Sequence, residues 1–319
     1  MKSVVLDGFA VDPTEQNWGY LAAYGEYRVY PFCEEENVIE RIGDADIVLT
    51  NRMHINAAVL DACPNVKYVT ALGTGYDMID VDECRRRGVE VCNVPGYSTM
   101  SVAQHAFALL FSLVTDINAF NEASHSGKWT GKEGFDYTPL KFMELAGKTI
   151  GIYGCGNIGR QLGRICGAFG MRVLGYRRSK QGVTEEGIEY VDLDTLLSSS
   201  DFVSFNCPLN DVTRGIVNAD MISRMKDGVY IVNTSRGAVI NEKDLYDALV
   251  SGKVAGAGLD VMASEPPSPS NPLFTCKNCV ITPHCAWTSK EARQRLMSVL
   301  DENIASFVKT GKGINRVFK

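Results

Sequence analysis

The sequence predicts an α/β protein of two doubly wound parallel-sheet domains, the second inserted into the first. Three observations carry this reading. Short apolar runs alternate with longer, more polar stretches in two separate series, one before residue 95 and one after residue 147, the rhythm of parallel strands joined by helical crossovers. A glycine-rich string, Gly151-Ile-Tyr-Gly154-Cys-Gly156-Asn-Ile-Gly159-Arg160, stands at the first junction of the second series, between an apolar strand and an apolar helical pattern. The chain then closes with a long amphipathic helix, too far past the last strand of the second series to be one of its crossovers.

In chain order, the first series places strands at Ser3-Val-Val-Leu6, Tyr27-Arg-Val-Tyr30, Asp46-Ile-Val-Leu-Thr50, Val66-Lys-Tyr-Val-Thr-Ala-Leu72 and Val89-Glu-Val-Cys-Asn-Val94. Residues 101 to about 125 read as one long helix, with Thr99 or Ser101 as its capping residue. The second series places strands at 148–153, 171–176, 188–191, 201–206, 228–233, 254–260 and 279–283, and the closing helix runs from 290 to 307. At 319 residues the chain exceeds the size at which one core keeps growing. The expected domains are 1–99 with 288–319, and 100–287, with two chain crossings forming a hinge.

Composition narrows the function classes. Hydrophobic residues at 45% and charged residues at 22% describe a globular chain, and a net charge of −6 argues against a nucleic-acid surface. The longest apolar stretch, 106–114, falls short of the ~18 uninterrupted apolar residues of a membrane span. The amino terminus runs into a strand without a signal-peptide pattern. Ten cysteines are scattered through apolar segments, as reduced thiols are in cytoplasmic proteins. Cys276-Lys-Asn-Cys279 lacks the second pair or histidines of a structural zinc site, so no metal is expected. Glu34-Glu-Glu36 reads as a solvated helix face.

The glycine string is a dinucleotide fingerprint in context. A strand ending near Tyr153 would hand over to glycines that let the backbone approach a pyrophosphate, and a helix opening near Asn157 would aim its amides at it. Gly154, Gly156, Asn157, Ile158 and Gly159 are therefore cofactor-binding candidates, and the second domain is expected to be a Rossmann domain. About twenty residues on, where a carboxylate would hold a ribose 2′-hydroxyl, stand Arg177, Arg178 and Ser179. Two guanidinium groups and a hydroxyl suit a 2′-phosphate, so NADP(H) is favoured, with NAD(H) the alternative.

Three strand-end segments carry reactive side chains: Asn233-Thr-Ser-Arg236-Gly, Asp260-Val-Met-Ala-Ser-Glu265-Pro and Thr282-Pro-His284-Cys-Ala-Trp287. Singly, an Arg-Gly after a strand is usually a surface turn, a Glu-Pro a loop, and a His after Pro structural. Together they offer an anion-binding guanidinium and a His-carboxylate acid/base pair, which beside a dinucleotide fingerprint suggests a dehydrogenase.

At this point the chain resembles the D-isomer specific 2-hydroxyacid dehydrogenase family, and within it the glycerate dehydrogenase, or hydroxypyruvate and glyoxylate reductase, group. The resemblance spans nearly the whole chain: Gly73-Thr-Gly-Tyr-Asp77, Asn93-Val-Pro-Gly-Tyr97, Ser101-Val-Ala-Gln-His105, Glu144-Leu-Ala-Gly-Lys148, the fingerprint, and the three reactive segments. It implies that the Rossmann domain is inserted in a discontinuous flavodoxin-like substrate domain. It implies that Arg236 binds the substrate carboxylate and keto oxygen, that His284 donates or takes the proton, and that Glu265 orients His284. Backbone amides of Gly73, Thr74 and Gly75 would take the other side of the carboxylate, with Arg52 a second cation or merely a surface residue. Asp260 would accept from the nicotinamide carboxamide, and Cys207, Pro208, Thr213, Thr234 and Ser235 would line the cofactor. The resemblance also implies a homodimer through the helix beginning near Ser101, whose Ala106, Leu109, Leu110 and Leu113 would suit either a partner or the core.

The expected activity is hydride transfer between NADP(H) or NAD(H) and a small 2-keto or D-2-hydroxy acid, glyoxylate or hydroxypyruvate first. Met53, Tyr76, Tyr97 and Tyr137 leave larger 2-keto acids open. A nucleotide-sensing co-regulator without enzymatic activity is the reading from another class, against which the intact acid/base set counts. A formate-type dehydrogenase fits less well, because Glu265 stands where that branch has a neutral residue.

Overall fold

The computed structural model describes residues 1–14, 17–130, 140–178 and 181–318. Tyr137 and Ser179 lie outside the described residues. The chain divides into two compact units, Met1–Ser98 with Trp287–Lys319, and Thr99–Ala286.

The first unit is built on five parallel strands: β1 (Lys2–Leu6), β2 (Glu26–Val29), β3 (Ile47–Thr50), β4 (Tyr68–Ala71) and β5 (Glu90–Cys92), in the order β2-β1-β3-β4-β5. Successive strand residues point to opposite faces, and both faces are covered. Leu6, Val48, Val69 and Val91 pack under short helices α1 (Val38–Ile42), α2 (Ala57–Ala62) and α3 (Val81–Arg86). Val5, Ile47, Leu49 and Tyr68 pack under the C-terminal helix, Lys290–Thr310, through Ala292, Leu296, Leu300, Ile304 and Phe307. That spacing of three and four residues is one helical face. Asn56 and Asp80 cap α2 and α3 by accepting from the Val59 and Glu83 amides. The strand order is the flavodoxin-like one, with its reversal between β1 and β3.

The second unit opens with α4 (Thr99–Val114) and α5 (Ile117–His125). One helix was expected there. The break at 115–116 has a physical cause: segment 141–143 crosses the helix end, where Asp116 donates its amide to the Lys141 carbonyl (2.9 Å), Met143 donates to Val114 (2.9 Å), and Asp116 Oδ2 accepts from the Lys141 amide (2.7 Å). Ser101 is not a cap, because its hydroxyl donates instead to the Ala286 carbonyl.

Eight strands follow: β6 (Thr149–Tyr153), β7 (Arg172–Tyr176), β8 (Val183–Glu185), β9 (Ile188–Tyr190), β10 (Phe202–Phe205), β11 (Val229–Asn233), β12 (Val254–Leu259) and β13 (Cys279–Ile281), in the order β13-β12-β11-β10-β6-β7-β9-β8. The sheet is not wholly parallel as expected, since β8 pairs antiparallel with β9. Between them Glu186 (φ 54°) and Gly187 (φ 79°) make a two-residue turn with both φ positive, the hairpin geometry that matches strand twist.

Helices α6 (Asn157–Ala168), α7 (Leu193–Ser199), α8 (Ala219–Ser223) and α9 (Glu242–Ser251) complete the unit. Leu109, Leu110 and Leu113 of α4 and Leu162 of α6 pack on Ile150, Ile152 and Val232, while Leu196, Met221 and Leu245 pack on the opposite face against Val203, Ile231 and Leu259. Ala106, Leu109, Leu110 and Leu113 are thus buried in this unit's own core, which resolves their role in favour of internal packing. Among the described residues no helix is long and apolar enough to cross a membrane. All ten cysteines are unbridged and seven are buried.

Candidate active site

In the second unit the strand order reverses between β6 and β10, and an open α/β sheet takes its ligand in the crevice at that point, outside the carboxyl ends of the strands. Gly154 follows β6 there with φ 99°, and a Cβ on it would stand 2.8 Å from the Asn206 carbonyl carbon after β10. Gly159, in the first turn of α6, lies so close to β6 that a Cβ would overlap the Gly154 carbonyl oxygen. Gly156 is the extended N-cap of α6 and offers no side chain to its first amides. Asn157 is exposed and accepts from Arg160 Nη2 at 2.9 Å, while Ile158 is half-buried.

The strand ends around this turn hold polar atoms that the protein itself leaves unsatisfied. Asn206 Oδ1 and Thr234 Oγ1 are buried without a hydrogen-bond partner among the described residues. Buried polar groups are rarely left so, and here they lie at the carboxyl ends of β10 and β11, where the fingerprint places a dinucleotide. The residues present fit such a cofactor. Cys207 is buried beside Asn206, and burial pushes its thiol up to about 11. Pro208 is exposed, and its carbonyl accepts from Thr213 Oγ1 at 2.7 Å, which closes the 208–213 loop. Arg177 and Arg178 are both exposed at the end of β7.

The reactive side chains come from three loops stitched together at the ends of β11, β12 and β13. The Asp260 amide donates to the Asn233 carbonyl at 3.0 Å, and the His284 amide donates to the Asp260 carbonyl at 2.7 Å. Asn233 is fully buried and shapes the first loop: its Oδ1 accepts from the Ser235 amide (3.0 Å) and hydroxyl (2.8 Å), and its Nδ2 donates to the Arg236 carbonyl (2.9 Å). Half-buried Arg236 donates from Nη1 to the Ser235 carbonyl at 2.9 Å. The next residue, Gly237, permits a close approach to the second loop, since a Cβ there would overlap the Met262 backbone.

His284 Nδ1 lies 2.6 Å from Glu265 Oε2, and Glu265 Oε1 accepts from the Met262 amide at 3.1 Å. Burial pushes the Glu265 carboxyl up, but the hydrogen bond and charge of His284, with the Met262 amide, outweigh it and hold the group below its usual range. With Nδ1 turned to the carboxylate, Nε2 is the ring atom left to exchange a proton. Asp260, expected on a nicotinamide carboxamide, is 1% exposed and turned inward. Its Oδ1 accepts from the Cys285 amide (2.9 Å) and Thr282 hydroxyl (2.6 Å), and its Oδ2 from the Ala286 amide (2.9 Å). Burial raises this carboxyl too, yet the hydrogen bonds from His105, Thr282 and the two amides leave it below the ordinary value.

In the first unit the strand reversal brings Asp7, after β1, to Arg52, after β3. The Arg52 amide donates to Asp7 Oδ2 at 3.2 Å, and the exposed Arg52 guanidinium lies 3.8 Å from Asp7 Oδ1. After β4, the Gly73-Thr74-Gly75 turn is pinned by the Val94 amide on the Gly73 carbonyl (2.8 Å), by Thr74 Oγ1 on the Val94 carbonyl (2.9 Å), and by Asn93 Nδ2 on the Thr74 carbonyl (2.7 Å). A groove of about 430 Å³ lined by Lys2, Glu26, Arg28, Arg41 and Asp44 sits at the amino ends of this unit's strands, away from all these residues.

Asn233, Thr282 and His105 were not among the expected site residues. The asparagine had a signal, because Asn-x-Ser after a strand is an Asx-turn pattern. The contact of Thr282 with His105 had none, because 177 residues separate them.

Comparison with known proteins agrees with this chemistry. The family description "D-isomer specific 2-hydroxyacid dehydrogenase, NAD binding domain" matches residues 107–286. A hydroxypyruvate reductase of Blautia hydrogenotrophica is 46% identical over 323 aligned residues, covering 100% of both chains. An acyclic imino acid reductase solved with NADPH and D-Arg superposes with TM-score 0.87 at 33% identity, covering 100% of both chains. A glyoxylate reductase from Paecilomyes thermophila gives TM-score 0.85 at 30% identity, covering 99% of this chain and 98% of that one. The chain belongs to the D-isomer specific 2-hydroxyacid dehydrogenase family and is an NAD(P)-linked oxidoreductase of small 2-keto and 2-hydroxy acids.

Proposed function

We propose that this protein reduces glyoxylate or hydroxypyruvate to the D-configured 2-hydroxy acid, with NADPH as the preferred donor. The observation that carries the reading is the 2.6 Å pair of His284 and Glu265, on a loop hydrogen-bonded beside the Arg236 turn. A bound dihydronicotinamide supplies the hydride. Arg236 holds the substrate carboxylate with its planar fork and polarises the keto oxygen. His284 gives that oxygen its proton from Nε2, and Glu265, ionised at neutral pH, holds the ring by Nδ1 and stabilises its protonated form. In the oxidative direction the same nitrogen takes the proton back.

In this reading the second unit binds the cofactor and the first unit binds substrate, through the Gly73-Thr74-Gly75 amides and Arg52. The preference for NADPH rests on exposed Arg177 and Arg178 standing where an acidic residue would select the ribose hydroxyl. The preference for a small acid is supported by Met53 and Tyr97, both buried in the first unit, which leaves Tyr76 as the exposed one among the described candidates for a larger pocket. A cytoplasmic homodimer belongs to the same proposal, supported by ten unbridged thiols and by exposed Met100, Phe111, Ile117 and Phe142. Light scattering at monomer mass would count against the dimer.

The test of the activity is a set of steady-state rates with glyoxylate, hydroxypyruvate, pyruvate and branched 2-keto acids, each with NADPH and NADH. Fastest turnover of the two smallest oxo acids with NADPH is the expected result. Purified protein that oxidises neither cofactor with any of these acids overturns the proposal.

A further inference from the structure

Helix α4 carries two polar side chains one turn apart, Ser101 and His105, and both reach the loop that bears His284. Ser101 Oγ donates to the Ala286 carbonyl at 2.6 Å, and His105 Nε2 lies 2.9 Å from Thr282 Oγ1. A threonine hydroxyl has one proton. Thr282 gives it to Asp260 Oδ1, so Thr282 accepts from His105, whose Nε2 therefore carries a hydrogen. The same imidazole nitrogen is 3.4 Å from Asp260 Oδ1.

The loop needs holding. His284 has φ 51°, a left-handed conformation that a non-glycine residue keeps only where its surroundings over-determine it. Here three successive amides converge on one residue: His284 N on the Asp260 carbonyl, Cys285 N on Oδ1 and Ala286 N on Oδ2. A carboxylate can gather amides in this way only while it is charged and fixed in place. Thr282 and His105 supply the side-chain donors that fix the buried carboxylate.

We infer that His105 and Thr282 are positioning residues: through the buried carboxylate of Asp260 they hold the 283–286 loop in the conformation that brings His284 Nδ1 to Glu265. The inference rests on the proposed role of His284 as proton donor. A bound cation is the competing account of this cluster, because ligand atoms of His105, Asp260 and Cys285 lie within 4.8 Å of one another. Hydrogen bonds already satisfy the carboxylate, however, and burial raises the Cys285 thiol above its ordinary value, away from the thiolate a metal would need.

The test compares Thr282→Val, Thr282→Ser and His105→Phe with the parent protein. Three readouts are needed: steady-state reduction, NADPH affinity by fluorescence titration, and the imidazole NMR titration of His284, one of only four histidines. Thr282→Val preserves shape and removes the hydroxyl. Its kcat is expected to fall about tenfold, the scale of one hydrogen bond to a charged group, with NADPH affinity little changed and the His284 titration midpoint lowered. Thr282→Ser restores both, and His105→Phe follows Thr282→Val in direction. Unchanged kcat and an unchanged midpoint in both disrupting variants overturn the inference. So does a failure of serine to rescue, which would mark a packing role, or a loss confined to NADPH affinity, which would mean that Asp260 serves the cofactor instead. If the parent reduces no 2-keto acid, the proposed function fails, while the NMR titrations still decide whether this network sets the His284 environment.

Discussion

Replacing Glu265 with glutamine keeps the shape of the His284 pair and removes its charge. In the parent, the 2.6 Å contact sets an ionised carboxylate against the ring nitrogen opposite the one that exchanges the proton. Hydrogen bonds involving charged groups contribute about 1.5–3 kcal/mol. The two side chains are 39% and 33% exposed, so solvent screening selects the lower end, about 1.5 kcal/mol, or roughly tenfold in rate. The sign follows from the direction of proton transfer. Ionised Glu265 holds the ring that gives up a proton in reduction, so the glutamine variant should lose about tenfold in kcat/KM for reduction. The assay is kcat/KM for reduction, with NADPH affinity as a control. An unchanged kcat/KM while cofactor affinity is intact refutes the reasoning, because the carboxylate would then do nothing for the proton donor.

Other outcomes follow from the same geometry. Arg236→Lys keeps the charge but loses the planar fork, so KM for the keto acid rises by roughly ten- to a hundredfold, with cofactor affinity little changed by fluorescence titration. Arg177→Asp replaces an exposed cation with an anion and should lower the NADPH-to-NADH ratio of kcat/KM by about tenfold or more; an unchanged ratio removes the arginines from cofactor choice. Gly159→Ala forces α6 away from the Gly154 carbonyl, and overpacking of this kind typically costs about 1–3 kcal/mol, read as a lower Tm together with weakened binding of both cofactors. Asp260 is held below the usual carboxylate range, so its contribution to stability is complete above the unfolded-state value and is lost as pH falls through the depressed one. Thermal melts of Asp260→Asn should therefore show a shallower acid limb than the parent as well as a lower Tm at neutral pH.

Much of the molecule is written in local pattern. Every strand of the first sheet and seven of the eight in the second could be read from the sequence, most of them because strands buried on both faces are apolar runs with no polar alternation to confuse the signal, and the exposed edge strand β2 through its aromatic and β-branched residues. The fingerprint was legible because Gly159 meets the Gly154 carbonyl five residues away and Gly154 itself needs a positive φ, although the approach of Gly154 to Asn206 is long-range. Strand β8 was missed: its residues Val183-Thr-Glu185 are exposed, so no hydrophobic run announced it. The break between α4 and α5 was missed because its cause, the crossing of residues 141–143, lies some 25 residues further along the chain.

The sequence by itself determined the fold class, the dinucleotide turn and the identity of Arg236, Glu265 and His284, since strand periodicity, glycine spacing and residue chemistry are local properties. Only the tertiary structure decided what each of those side chains touches. It turned Asp260 inward, onto the amides that follow His284, and set Thr282 against His105 of α4. It also buried Leu109, Leu110 and Leu113 in the second unit's own core rather than leaving them for a partner. Hydrogen-bond partners and shared cores join residues far apart in the chain, and no local pattern encodes which distant donor will satisfy a buried carboxylate.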